Sequence, residues 1–314
     1  MNRFITGLFA LLSIAACTRS PQTEEKPSFY VSILPLRSLI DSIVGDDFDV
    51  RVLVPVGASP ETFEPTARQF VDLNRAELIF NVGLIDFETA LLGKIDAREK
   101  IVDLSRGIAP IAGSCSHTRS RDKRMPGNEQ ACGNEQTPGN GQASEYNRTN
   151  NAAHRHGVDP HVWTSPRALQ QMAANAYEAI RTAYPDSVKY TANYEKLQEQ
   201  LRELDIRTAA KIAGSGVRRF IVYHPALTYY ARDYGLEQIA VEADGKEPSA
   251  RQLARLIRQA REDGIRKTFY QSQFPASVIE VIARDIDARS IEIDPLREDV
   301  IANIDHLTDL ITRP

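Results

Sequence analysis

Short apolar runs that alternate with amphipathic stretches predict an α/β fold, two lobes of βα units on mainly parallel sheets joined by a helix. Two observations carry this expectation. The alternation fills residues 29–104 and returns over residues 219–294. Between the two blocks lies a strong helical period, bounded by a serine at its start and a proline at its end.

Taken in order, FYVSIL from Phe29 reads as a buried strand, RSLIDSIVG as an amphipathic helix and FDVRVLV as a second strand, followed by a Pro/Gly turn. TARQFVDLNRA is helical, ELIFNVG is a strand, a short helix covers residues 86–94, and KIVDLS is the next strand. In such βα units, functional side chains belong on loops at the carboxyl ends of strands.

Residues 113–157 break the pattern. They contain no Val, Leu, Ile, Phe or Trp, and GNEQ at Gly127 recurs at Gly133. A segment of this composition cannot bury enough apolar surface to offset its ordering entropy, so a mobile low-complexity loop is expected. After it, Ser165 suits a helix cap and Pro166 the first turn, and Pro185 stops the helix. A second helix capped by Asp186 runs through YEKLQEQLRELDIRTAAKI. Then come the strand RRFIVYH, the helix PALTYYARDYG, the strand EQIAVE, the helix PSARQLARLIRQAREDG, the strand KTFYQS, the helix PASVIEVIARDI and the strand SIEID. The expected division is a first lobe at 29–164, a connecting helix at 165–185 and a second lobe at 186–314.

The chain of 314 residues carries a net charge of -4 with both signs interspersed, which leaves no footprint for nucleic acid. Residues 1–16 combine a charged start with an apolar run too short to span a bilayer, and small residues precede Cys17. This pattern resembles a bacterial lipoprotein signal, with Cys17 acylated and residues 17–28 a flexible tether. An ordinary cleaved signal is the alternative, and either way the protein is exported. A periplasmic lipoprotein anchored to a membrane is therefore expected. In that oxidising compartment Cys115 and Cys132 either close a disulfide loop or remain as thiols, free or helping to catch metal.

Four polar residues stand in apolar, strand-like surroundings: Glu61 in PVGASPETFEPT, His161 in DPHVWTSP, His224 in FIVYHPALTYYARDYGL and Asp294 in RSIEIDPL. Two imidazoles and two carboxylates suit one divalent transition ion. Their spacing excludes a local finger, so the fold must assemble any site.

In combination these motifs resemble the cluster A-I metal-binding proteins of ABC transporters, zinc and manganese receptors that include adhesin-like lipoproteins. The resemblance covers the chain from Phe29. It rests on Asp159-Pro160-His161-Val162-Trp163, on His224 through Tyr234-Gly235-Leu236, on Gly245-Lys246-Glu247-Pro248-Ser249, and on Asp294-Pro295-Leu296. It implies two lobes joined by one rigid helix, a single ion in the cleft between them, and delivery of that ion to a membrane permease. His161 is then a ligand from the first lobe, and His224 and Asp294 are ligands from the second. Where the family usually reads PHxYEP this chain reads Pro60-Glu61-Thr62-Phe63-Glu64-Pro65, so Glu61 stands in for the expected His. Glu64 and a water molecule are rivals for that place, and Asp159 reads as a turn or supporting residue.

Zinc is the expected ion, with manganese or iron as the alternative. His117, His154 and His156 in the loop fit either a weak metal lure or incidental surface residues. A monomer without enzymatic activity is expected, since four protein ligands leave no open position, and neither a Gly-rich phosphate loop nor a Gly-x-Ser-x-Gly elbow occurs. A surface adhesin that has lost metal uptake is the other rival.

Overall fold

A computed structural model describes residues 26–113, 157–242 and 246–313. The expectations for residues 1–16, Cys17, Cys115, Cys132, His117, His154, His156 and nearly all of the loop lie outside the described residues. Among the described residues no helix is long and apolar enough to cross a membrane.

The described residues form two four-stranded sheets, and every strand pairing in them is parallel. The first holds β1 (Ser28–Val31), β2 (Asp49–Val52), β3 (Leu78–Asn81) and β4 (Ile101–Asp103) in the order β2-β1-β3-β4. The second holds β5 (Arg219–Val222), β6 (Glu237–Ala240), β7 (Lys267–Gln271) and β8 (Arg289–Ile293) in the same pattern, β6-β5-β7-β8. In both, the chain turns from one side of the first strand to the other, and the crevice at the carboxyl ends beside that switch is where such sheets bind ligands.

The helices start where their sequences dictate. The Thr66 hydroxyl accepts from the Gln69 N–H while the Gln69 side chain accepts from the Thr66 N–H, which opens α2 (Ala67–Arg75). Ser249 and Gln252 repeat the device at α7 (Ala250–Glu262). Ser165 caps α4 (Pro166–Ala183) by accepting from the Ala168 N–H. α1 (Leu34–Val44) buries Leu36, Leu39, Ile40 and Ile43 along one stripe and stops at Gly45, whose φ of 64° ends the helix without a Cβ penalty. α3 (Asp86–Leu92), α6 (Thr228–Asp233) and α8 (Ser277–Asp285) complete the alternation.

Three features depart from the expectations. α5 (Val188–Ser215) follows Ser187, with no side-chain cap, so Asp186 does not cap it. The connection between the sheets is a pair of helices rather than residues 165–185 alone. α5 has 28 residues, about 42 Å of helix. Its first turn is tied to the first half, where Lys189 Nζ and the Tyr190 hydroxyl donate to Asp47 and Asn193 donates to the Ile43 carbonyl. Its far end is tied to the second half by Lys211, which donates to Asp305 and reaches Asp309. α4 runs back along it, with Tyr177 stacked on Tyr194 at 4.2 Å. The third departure is α9 (Val300–Thr312), capped by Asp299 and burying Val300, Ile304, Leu307 and Ile311, where the sequence reading ended at β8.

One hydrophobic core runs from Phe29 and Phe80 through Leu169, Leu197, Leu201 and Leu204 to Phe269 and Leu307, so the two sheets share their apolar filling across α4 and α5. A smaller cluster around Ile257, Ile279 and Ile282 belongs to the outer layer of the second half. The described ends of the low-complexity segment meet: Gly113 N–H donates to Gly157 O at 2.5 Å, and Asp159 N–H donates to Ile111 O at 2.9 Å.

Leu201, fully buried at the middle of α5, is expected to cost about 2–5 kcal/mol when truncated to Ala. Denaturant unfolding should show this as one transition, since the core is common to both halves. Replacing residues 114–156 by a short Gly/Ser linker should leave a cooperative thermal melt, because the flanking residues already meet at the Ala112–Val158 bridge and closure cost changes only slowly with loop length.

Candidate metal centre

Glu61 is presented by a turn between β2 and α2, in which Thr62 N–H donates to Ser59 O at 3.3 Å and Glu61 N–H to the Ser59 hydroxyl at 3.3 Å. His161 precedes a single 3-10 turn, Val162–Thr164, anchored by the Thr164 hydroxyl on the His161 carbonyl and by Trp163 Nε1 on the Pro295 carbonyl at 3.1 Å. His224 lies just past the end of β5, and Pro225 behind it has no N–H with which to continue the ladder.

These three residues come from separate parts of the chain and converge. His161 Nε2 stands 3.1 Å from His224 Nε2, and Glu61 Oε1 stands 3.0 Å from the same His224 nitrogen. Their donor atoms all lie within 4.8 Å of one another. Both imidazoles are buried, whereas the Glu61 side chain keeps 37% of its surface exposed. The Phe274 ring stacks on His224 at 4.8 Å and, with Trp163 and Leu296, walls a cavity of about 30 Å³ beside the donors.

Two buried carboxylates decide which ring nitrogens face that space. Asp159 Oδ1 accepts from His161 Nδ1 at 2.9 Å and also from the His161 backbone N–H at 2.9 Å. Glu242 Oε1 accepts from His224 Nδ1 at 2.9 Å. Since a carboxylate only accepts, each Nδ1 carries a hydrogen, which in the neutral rings leaves each Nε2 with its lone pair toward the other. Without a cation between them that arrangement is repulsive. In the metal-free protein a proton supplies the charge. Burial works against the charged His224 ring, but the hydrogen bonds and charges of Glu242 and Glu61 outweigh it and push its pKa up to about 9. Burial likewise raises Glu61 and Asp159, yet their imidazole partners hold both below the usual carboxylate range.

The geometry suits a small divalent ion. Donors roughly 2.0–2.1 Å from one zinc stand about 3.3 Å apart in a tetrahedron. The two measured separations are close to that edge. Asp294 is not gathered with the other three. Its Oδ1 accepts from the Leu296 N–H at 2.9 Å and from Gln273 at 3.4 Å, and it borders a separate small cavity. Glu64 is exposed and lines the outer groove with Phe63 and Asp86. Glu242 escaped the sequence reading; its signal was its place just beyond β6, the neighbour of the strand that carries His224.

A family model described as ZnuA, zinc-uptake complex component A periplasmic, matches residues 30–312. The chain belongs to the ZnuA family. The family resemblance carried by the DPHVW, GKEPS and DPL motifs is thus to the group that the match shows. A crystal structure of ZnuA superimposes with a TM-score of 0.74 and 29% identity, covering 91% of this chain and 98% of that one. The zinc uptake protein ZnuA of Bacillus subtilis is 27% identical over 312 residues, 93% of this chain and 88% of its own. The zinc-binding protein AdcA of Streptococcus pyogenes is 24% identical over 312 residues, 94% of this chain but 56% of its own, so this chain spans little more than half of AdcA. The periplasmic zinc-binding protein TroA of Treponema pallidum shares the fold at a TM-score of 0.71 with 19% identity.

Within this ZnuA-family fold the raised pKa of His224 gives opposite pH dependences to stability and to metal affinity. The protonated ring stabilises the metal-free protein fully below its ordinary value of 6.5, and that contribution is lost as pH rises through about 9. An ion needs the bare nitrogen, so zinc affinity should climb over the same window, by about tenfold per pH unit for one proton released. Chelator-competition titrations and melts of metal-free protein across this range check both slopes.

Proposed function

We propose that this protein is an extracytoplasmic receptor that captures zinc in the cleft and hands it to an ABC permease for import. The observation that carries the reading is the pair of imidazole Nε2 atoms at 3.1 Å with the Glu61 carboxylate beside them. Three donors of types that bind zinc are held there in advance of the ion. Membership of the zinc-uptake family and likeness to proteins named as zinc-binding support zinc as the cargo. The ion is carried rather than used, and no substrate is transformed.

His161, His224 and Glu61 supply three of the four positions of a tetrahedral site. Asp294, whose Oδ1 accepts from the Leu296 N–H and whose second oxygen is left for an ion, or a water would fill the fourth. The anchoring of the receptor by an acyl chain on Cys17 and its work as a monomer belong to the same proposal. Manganese is the second reading, favoured by one observation. Glu61 places a hard oxygen donor where the family usually has an imidazole, and carboxylate oxygens suit manganese better than nitrogen does.

Titration of metal-free protein with zinc tests the assignment. Glu61→Ala is expected to weaken binding beyond the roughly 10 to 100-fold that loss of an outer partner costs, and Glu64→Ala to change it little. The reverse order would move the role to Glu64. Mass-spectrometric metal analysis of protein purified from cells separates zinc from manganese.

A further inference from the structure

We infer that Gln271 is a positioning residue for the metal centre: its side-chain amide continues the β5–β7 ladder one residue beyond its end and so fixes the main chain of His224. The inference rests on the reading of His224 as a ligand. Regular pairing between these strands aligns Ile221 with Thr268 and Val222 with Phe269. The last backbone rung is Tyr223 N–H donating to Phe269 O at 2.8 Å. On the other side, Tyr223 O accepts from Val241 and Glu242 N–H, and pairing stops there too.

His224 therefore has no strand partner for its own N–H and C=O, although its C=O also accepts from the Ala226 N–H of the following turn at 2.7 Å, and Pro225 prevents the strand from continuing. Gln271 supplies both. Its Oε1 accepts from the His224 N–H at 3.2 Å, and its Nε2 donates to the His224 carbonyl at 2.8 Å. The residue is 2% exposed, pairs as the last residue of β7 with Ile293 of β8, and lines the same cavity as the donors. A side-chain amide carries an acceptor oxygen and a donor nitrogen in one fixed plane, as a peptide unit does, and Asn alone shares that group. With Glu242 holding the ring and Gln271 the backbone, His224 is constrained at both ends, as a ligand held to about 0.5 Å must be.

Gln271→Met keeps length and apolar volume and removes both bonds. In the full-length protein it is expected to retain a cooperative melt but to lose about 10 to 100-fold in zinc affinity, the range for outer partners of a ligand. The visible spectrum of the cobalt-substituted protein should change, a readout that a loss of stability alone would not move. Gln271→Asn should fail to rescue, since it keeps the chemistry but not the reach. Should Gln271→Met not fold, Gln271→Glu, which keeps only the acceptor, serves in its place and is expected to alter the cobalt spectrum.

Zinc affinity within twofold of the unaltered protein and an unchanged cobalt spectrum would overturn the inference, provided His224→Ala abolishes binding in parallel. Normal binding by His224→Ala would instead overturn the receptor reading, and this inference with it.

Discussion

Two imidazole nitrogens held face to face at 3.1 Å are the constraint from which the rest of this structure follows. Lone pairs at that distance repel, and the protein holds them there with Asp159 and Glu242, one buried carboxylate behind each ring. The arrangement is stable only with positive charge between them. A proton serves in the metal-free state, and Glu242 and Glu61 keep it on His224 despite the burial of the ring. On the proposed assignment a divalent ion would serve better, because it would satisfy both nitrogens and the Glu61 oxygen at once.

Holding such a contact requires a stiff frame, since the two rings come from opposite halves of the molecule. The frame is the pair α4 and α5 together with the core they share with both sheets. α5 is fastened to Asp47 at one end and to Asp305 and Asp309 at the other. Trp163 crosses from the His161 turn to the Pro295 carbonyl and adds a tie beside the cleft itself. Separating the halves as rigid bodies would expose core residues such as Leu201 and Leu204, so large domain motion is expensive here.

Much of this could be read from the sequence because the governing signals are local. Ser165-Pro166 and Thr66 with Gln69 start helices through contacts three residues away, and parallel strands announce themselves as continuous apolar runs. His161 and His224 were legible from the motifs around them. What stayed hidden depends on distance in the fold. Glu242 looks like any strand-end acid until β6 pairs beside β5, and the pairing of Gln271 with His224 joins residues 47 positions apart. Asp294 illustrates a different case, where the motif is present and the Leu296 N–H engages one oxygen of the carboxylate. α9 was missed although Asp299 and its apolar stripe signal it; the βα alternation drew attention to strands and ended with the last one.

The unequal burial of the three donors imposes an order on exchange. Both imidazoles sit deep, walled by Phe274, Trp163 and Leu296, while the Glu61 side chain is more than a third exposed on a surface turn. An ion shared by these groups meets solvent first on the carboxylate side. If the three bind an ion as proposed, Glu61 would be the door leaf, the last bond made on entry and the first broken on exit, and the histidines the hinge post. A turn between β2 and α2 moves with far less disruption than a strand end, so the rate of release is written in the loop carrying Glu61 and the depth of the well in the strands behind the histidines.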